Sequence, residues 1–346
     1  MHLLICTPLH IFVFDPATSQ ITTLRSGDGY YYGITFKDGT IVTTHSGGYL
    51  QYFNSHARSW LTTNQLVQPH QAEWVDGNIL VANTGMNCLS IFNADGLFCR
   101  NVFLNSIHWD DKNKNRKGNH FNSVHRVADQ IYLVAHNYER PSVVWILSWP
   151  ELEIIGQNAT RAGWAHNIWI GEWGMVICDS KNGGLHEVLS GKTIWKTKER
   201  TLMTRGLAVS EDYVFVGRSL CSENKDRYWK DGGIWILDRK SFQLVDTIIF
   251  PGIGDVREIR LVGVQDACHN DQIISDQDLI PLKLISPIVQ QSYRLVRKYA
   301  LLRRSFFPMS QIVRTAQMIR RMWNSLYRVM QNSHSQSQSE AFRTKR

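Results

Sequence analysis

The sequence predicts an all-β protein: a six-bladed β-propeller closed by its own N-terminal strands, plus a basic C-terminal α-helical tail. Two observations predict the ring and a third separates the tail. A hairpin unit recurs through the first three quarters of the chain. The two ends of that stretch supply complementary parts of one further unit. Beyond residue 270 the charge and the hydrophobic period both change.

The unit is a short strand, a polar turn of two or three residues, a second strand ending in a polar cluster, and a third strand. It reads GITF-KDG-TIVTTHSGG from Gly33, HQAEWV-DGN-ILVANTG from His70 and NSVHRV-ADQ-IYLVAHN from Asn122. It continues as HNIWIG-EWG-MVICDS from His166 and TRGLAV-SED-YVFVGRS from Thr204. Apolar runs around a central turn signal are hairpins. Third strands follow at Tyr49–Phe53, Cys88–Phe92, Val143–Leu147, Leu185–Leu189 and Gly233–Leu237. A repeat of roughly 40–50 residues is the size of a propeller blade.

The sixth unit is split. Val256–Gly263 reads as an innermost strand without partners, while Leu3–Cys6, Ile11–Asp15 and Ile21–Leu24 read as a second, third and fourth strand without a first. Joining them closes the ring and leaves no open sheet edge at the seam. The N-terminus is accordingly read as a strand. It lacks the basic region and small-residue cleavage site of a signal peptide.

Blade geometry selects candidate site residues. The start of a blade's first strand and the end of its second lie on one face of the disc. The first-strand starts collect Tyr31, His70, Asn122, His166 and Thr204, followed by Tyr32, Gln71, Asn167, Arg205 and Arg257. His120 lies two residues before Asn122. The second-strand ends collect Thr44, Asn83, His136, Asp179 and Arg218. Imidazoles from separate blades suit one divalent transition metal, with His70, His120 and His166 as the expected ligands. Arg205 and Arg218 suit a carboxylate or phosphate. Asp179 suits a base or an orienting partner, and Asn83, Asn122, His136 and Asn167 are expected to contact ligand.

Other chemistries lack their signatures. There is no P-loop, G-x-S-x-G or H-E-x-x-H, and WDDKNKNRKG at 109–118 lacks the spaced carboxylates of an EF-hand. None of the six cysteines forms a C-x-x-C pair. They read as buried free thiols, which favours a reducing, cytoplasmic setting. The remaining histidines His2, His10, His56, His108, His186, His269 and His334 are read as surface or loop residues.

The segments HQAEWVDGNILVANTGMNCLSIF, NHFNSVHRVADQIYLVAHN, AHNIWIGEWGMVICDS and TRGLAVSEDYVFVGRS resemble successive blades of an uncharacterised bacterial propeller family. The likeness covers roughly residues 30–262. Its more specific pieces are His70 with Asn83-Thr84 and Cys88-Leu89, His120-Phe121-Asn122, His166, and Thr204-Arg205-Gly206-Leu207. More distantly the chain is similar to the gluconolactonase and strictosidine-synthase propellers. That group holds a divalent metal in the channel with Glu, Asn and Asp, where this sequence offers His.

Net charge is +8, unevenly spread. Residues 281–346 hold 13 Lys and Arg against one acid, which makes the tail +12 and leaves −4 for residues 1–280. The basic pI therefore says nothing of nucleic acid for the protein as a whole, and nucleic acid is not expected. Ile288, Ser292, Leu295, Tyr299 and Leu302 share a helical face, as do Ile312, Ala316, Ile319, Trp323, Leu326 and Met330 beyond Pro308. The expected domains are the propeller at 1–270, the amphipathic helical tail at 271–331 and a disordered end at 332–346. Docking on the acidic propeller, an anionic membrane surface or a protein partner all suit such a tail.

The functional expectation is a propeller that binds a small polar or anionic metabolite or modified peptide at its His/Asn/Arg rim. As an enzyme it would be a metal-assisted hydrolase, lyase or isomerase. The alternative is a non-catalytic interaction scaffold with a membrane- or partner-binding tail.

Overall fold

A computed structural model describes residues 1–26, 30–54, 58–62, 65–104, 118–221, 228–269 and 273–279. Six four-stranded antiparallel sheets form the blades of the propeller. Blade two is β4 (Tyr31–Lys37), β5 (Thr40–His45), β6 (Tyr49–Asn54) and β7 (Arg58–Thr62). Blade three is β8 (Pro69–Val75), β9 (Asn78–Asn83), β10 (Cys88–Asn93) and β11 (Phe98–Val102). Blade four is β12 (Phe121–Val127), β13 (Gln130–Ala135), β14 (Val143–Ser148) and β15 (Ile154–Ala159). Blade five is β16 (Ala165–Gly171), β17 (Gly174–Asp179), β18 (Gly184–Glu187) and β19 (Thr193–Lys196). Blade six is β20 (Leu202–Val209), β21 (Tyr213–Leu220), β22 (Gly232–Asp238) and β23 (Leu244–Phe250).

Blade one is the seam. Its innermost strand is β24 (Glu258–Val262), which pairs with β1 (His2–Cys6), followed by β2 (His10–Asp15) and β3 (Gln20–Ser26). The register runs from His2 opposite Val262 to Cys6 opposite Glu258.

Period-two alternation sends apolar residues to both faces of each blade, where they meet the neighbouring blades. Val42, Leu50 and Tyr52 of blade two pack with Ala72, Ile79 and Val81 of blade three. Val75, Leu80 and Leu89 of blade three pack with Val124, Leu133 and Trp145 of blade four. Trp169 and Val176 of blade five pack with Leu207, Val216 and Trp235 of blade six.

The inner strands of adjacent blades are joined around the axis by side chains rather than by a sheet ladder. The Trp74 amide donates to Thr35 Oγ1 (2.9 Å), the Val124 amide to Gln71 Oε1 (3.1 Å) and the Asn167 amide to Ser123 Oγ (2.8 Å). The Gly206 amide donates to Asn167 Oδ1 (2.7 Å). Asp266 joins blades six and one, accepting from the Val209 amide (3.0 Å) and the Leu261 amide (3.3 Å). Arg260 completes the circle by donating to the Ile34 carbonyl through Nε (3.0 Å).

The propeller does not end at residue 270. Ile274 bridges Val262, and Ile274 and Leu279 are buried with Leu4, Phe36 and Ile41. In this short stretch, extended backbone and a three-residue turn of helix at Asp276–Asp278 replace the expected amphipathic tail. The chain divides into units at Met1–Leu284 and Ile285–Arg346. The second unit, and with it both expected tail helices and the disordered end, lies outside the described residues. So does most of the 109–118 segment, along with His56, His108 and His334.

Candidate functional site

The inner strands place three layers of residues down the central channel. In blades two to six the register slips near the top of the inner strand, at Tyr31/Ile34, Pro69/Ala72, Phe121/Ser123, His166/Ile168 and Thr204/Leu207. These are β-bulges, which re-aim side chains. They explain why consecutive residues line one cavity: His70 and Gln71, Asn122 and Ser123, His166 and Asn167. Tyr32, Arg205, Arg257 and Glu258 complete the lining.

Two glycines permit this. A Cβ at Gly217 would lie 1.9 Å from the Arg205 carbonyl oxygen, so only glycine fits beside the Arg205 bulge. A Cβ at Gly33 would lie 2.5 Å from Gln71 Cα, so glycine lets the inner strands of blades two and three approach closely there.

The top layer is Tyr32, His70, Asn122, His166, Arg205 and Arg257. The first column expected from the sequence was one residue early at Tyr31 and Thr204. Tyr31 and Thr204 are fully buried and face the blade interior, and their successors reach the axis.

His70 and His166 are held identically. The Nδ1 of His70 lies 2.7 Å from Thr84 Oγ1 and 3.1 Å from the Gln68 carbonyl. The Nδ1 of His166 lies 2.9 Å from Ser180 Oγ and 2.7 Å from the Trp164 carbonyl. Both hydroxyls donate onward, Thr84 to the Phe121 carbonyl and Ser180 to the Thr204 carbonyl, each at 2.5 Å. A carbonyl partner requires Nδ1 to carry the proton, which leaves Nε2 as the bare acceptor nitrogen. Burial, reinforced by the His120 ring and the Arg205 guanidinium, holds His70 well below the usual imidazole range. Burial, then Arg205 and His136, does the same to His166. Both rings are therefore neutral at pH 7.

The cavity's charge comes from Arg205, Arg257 and Glu258. Arg257 lies over the Tyr32 ring with its guanidinium carbon 4.0 Å from the centroid, and donates to the Tyr31 carbonyl at 3.2 Å. Burial pushes the Glu258 carboxyl up to about 8, against the opposing pull of Arg260. At neutral pH the cavity thus has two cations and a mostly uncharged acid. Asn122 donates to the Ala165 carbonyl (2.9 Å), while its Oδ1 has no hydrogen-bond partner. The space enclosed takes little more than one water-sized group.

The other expected site residues lie elsewhere. A second strand stands about 5 Å further from the axis than the first, and its end residues pack within the blade. Asn83 accepts from the Val67 amide (2.9 Å) and donates to Ser90 Oγ (2.8 Å). Asp179 accepts from the Gly163 amide (2.9 Å) and from Asn182 Nδ2 (2.9 Å), which shapes a turn. Arg218 pairs with Glu199 at 3.4 Å. None of the three lines the cavity. His120 and His136 form a rim beside the lining. Ring centroids step from His70 to His120 (5.1 Å), His120 to His136 (4.7 Å) and His136 to His166 (5.7 Å). His120 Nδ1 meets Tyr138 Oη at 2.8 Å.

The expected metal trio His70, His120 and His166 does not bring three ligand atoms together. Among the described residues, the group of acidic, thiol or imidazole side chains with ligand atoms all within 4.8 Å is Glu73, His125 and His269. Glu73 and His125 lie two residues beyond Gln71 and Ser123 on the same strand face, which the period-two pattern of the inner strands already signals. His269 was expected at the surface, yet it is buried, as is His186. Four cysteines are buried, but Cys99 and Cys221 are exposed; all six are free. No helix among the described residues is long and apolar enough to cross a membrane.

No protein-family model matches the chain, and no curated protein does. The resemblances to the uncharacterised bacterial propellers and to the gluconolactonase group therefore rest on the quoted segments alone. Solved structures share the fold. A chain in a crystal structure of a nidogen–laminin complex aligns with TM-score 0.57 at 11% identity, covering 75% of this chain and 97% of that one. A protein of unknown function from Bacteroides caccae aligns with TM-score 0.55 at 12% identity, again over 75% and 97%.

Proposed function

We propose that the channel mouth binds a small hydroxyl-bearing anion, such as a hydroxy acid or a sugar phosphate. The observation that carries this reading is the pair of buried guanidiniums, Arg205 and Arg257, facing a cavity whose one carboxyl is mostly neutral at pH 7. Guanidinium is suited to carboxylate and phosphate oxygens. The acceptor atoms beside it, Nε2 of His70 and His166 and Oδ1 of Asn122, suit the ligand's hydroxyl donors. The small enclosed space favours one anionic group entering the cavity while the rest of the ligand lies on the His120–His136 rim.

This reading is one of binding. The catalytic extension through Asp179 has little support, since that carboxylate is engaged by Gly163 and Asn182. His166, neutral with a bare Nε2, is the better placed proton acceptor.

The test is thermal denaturation of the full chain across a panel of carboxylates and phosphates, with calorimetric titration of those that stabilise. Hydroxylated anions should stabilise the protein, and Arg205→Gln should weaken binding by at least tenfold. A panel with no stabilising anion, or an affinity unchanged in Arg205→Gln, would refute the proposal.

A further inference from the structure

Below the mouth lies a second cluster that this function does not use. Glu73 on β8 and His125 on β12 occupy equivalent positions in adjacent blades. His269 reaches them from the segment that follows β24. That segment runs along blade six, where the Ala267 amide donates to the Val209 carbonyl at 2.8 Å and His269 Nε2 to the Leu207 carbonyl at 3.2 Å. His269 Nε2 also lies 3.8 Å from Glu258 Oε1 of blade one. One imidazole therefore neighbours blades six, one, three and four, which puts it at the propeller axis.

Four polar atoms of the cluster have no hydrogen bonds. Glu73 is fully buried, and neither of its carboxylate oxygens has a hydrogen-bond partner, although His125 stands within ion-pair distance. His125 and His269 are 3% and 4% exposed, and the Nδ1 of each likewise lacks one. Buried carboxylates and imidazoles seldom go unpaired, because desolvation without compensation costs several kcal/mol. A cation would compensate all four atoms at once. His125 Nδ1 stands 3.4 Å from Glu73 Oε1, close to the ~3.3 Å between two ligands of a tetrahedral ion with bonds of about 2.0 Å. The Nε2–H of His269 is committed to a carbonyl, which leaves Nδ1 as the nitrogen with an available lone pair. Second-shell bonds of that kind typically orient metal-bound histidines.

We propose that Glu73, His125 and His269 bind one divalent first-row transition ion, of the zinc class, at the axis of the propeller. Two imidazoles and one carboxylate suit such an ion better than calcium or magnesium, which take oxygen ligands. Its ligands lie 52 and 144 residues apart in sequence, so the ion ties blades three and four to the segment after the closing strand. The site shares no ligand with the anion-binding mouth.

The test uses the untagged full chain, stripped with a chelator and titrated with Co2+ and Zn2+. A single saturating equivalent is expected, with cobalt bands typical of nitrogen and oxygen ligands and a rise in melting temperature on loading. Glu73→Gln and His269→Gln should lose the equivalent, while Arg205→Gln should keep it even though anion binding weakens. If a ligand variant fails to fold, the titration of the parent protein decides. The proposal is overturned if the folded, stripped protein takes up no saturable equivalent. It is overturned equally if the equivalent survives Glu73→Gln, if it is lost instead in His70→Gln, or if cobalt–thiolate charge-transfer absorption assigns it to Cys99 or Cys221.

Discussion

The mouth of the channel and the layer beneath it contain nearly the same side chains in opposite states. Each has two buried imidazoles and a buried carboxyl. At the mouth, Nδ1 of His70 and of His166 each feeds a hydroxyl that feeds a carbonyl of the next blade. Below, Glu73, His125 and His269 keep buried atoms without hydrogen bonds. Burial is common to both, so burial alone does not distinguish a finished site from an incomplete one. The hydrogen bonding of the imidazoles does. The mouth is already shaped for a ligand; the deeper layer is completed only by one.

The largest expected effect comes from Asp266, whose carboxylate serves the buried amides of Val209, Leu261 and Cys268. Asp266→Ala leaves three donors unsatisfied and should cost about 3 kcal/mol or more, read as a lower urea midpoint. A loss below about 1 kcal/mol would show that the seam does not depend on this staple.

The next effect is in the pH dependence, where the two carboxyl and imidazole signs oppose each other. His166 has a folded-state pKa well below 6.5, so as pH falls below 6.5 the unfolded chain takes up the proton first and stability falls. Glu258 is raised from 4.5 to about 8, so the folded state keeps a proton that the unfolded chain has released, and stability falls as pH rises through that window. In metal-stripped protein each term amounts to about 1.4 kcal/mol per pH unit within its window. Denaturation across pH should show a flatter acid limb in His166→Gln and a flatter neutral limb in Glu258→Gln. Unchanged slopes would mean that neither group is buried in the state described.

A smaller effect separates the layers directly. In metal-stripped protein, Glu73→Gln should melt no lower than the parent, because it replaces a buried carboxyl whose oxygens accept no hydrogen bond. Asn167→Ala should melt several degrees lower, because it leaves the Gly206 amide without its acceptor. The reverse order would place the strain at the mouth instead. The smallest effect is expected outside the channel. Lys181 and Glu139 form an exposed pair at 3.4 Å, and Lys181→Ala should change stability by less than about 0.5 kcal/mol.

The ring and its seam were legible in the sequence because both depend on strand period and turn chemistry, which are local. Asp38-Gly39 and Asp76-Gly77 adopt the left-handed conformations that two-residue hairpin turns demand. Most of the mouth was also legible: Tyr32, His70, Gln71, Asn122, His166, Asn167, Arg205 and Arg257 all line the cavity, and only Ser123 and Glu258 were missed. What was not legible depends on position across the blade. Asn83, Asp179 and Arg218 share the face but stand one strand too far out. The bulges shifted the count at Tyr31 and Thr204. His269 looked like a loop residue because only the three-dimensional path of residues 263–269 carries it to the axis.

The split of blade one has a consequence for how the molecule is made. Strands β1 to β3 are synthesised first yet lack their inner partner until β24 emerges, so His2 waits about 260 residues for Val262. Such a pairing raises contact order and delays closure. The same late strand carries Glu258 and Arg260, Arg257 directly precedes it, and the segment behind it carries Asp266 and His269. A nascent chain on the ribosome therefore has five blades' worth of strands, Arg205 among them, before its channel gains Arg257 and Glu258. Competence to bind should arrive together with closure of the ring, in one step once the segment through His269 has emerged.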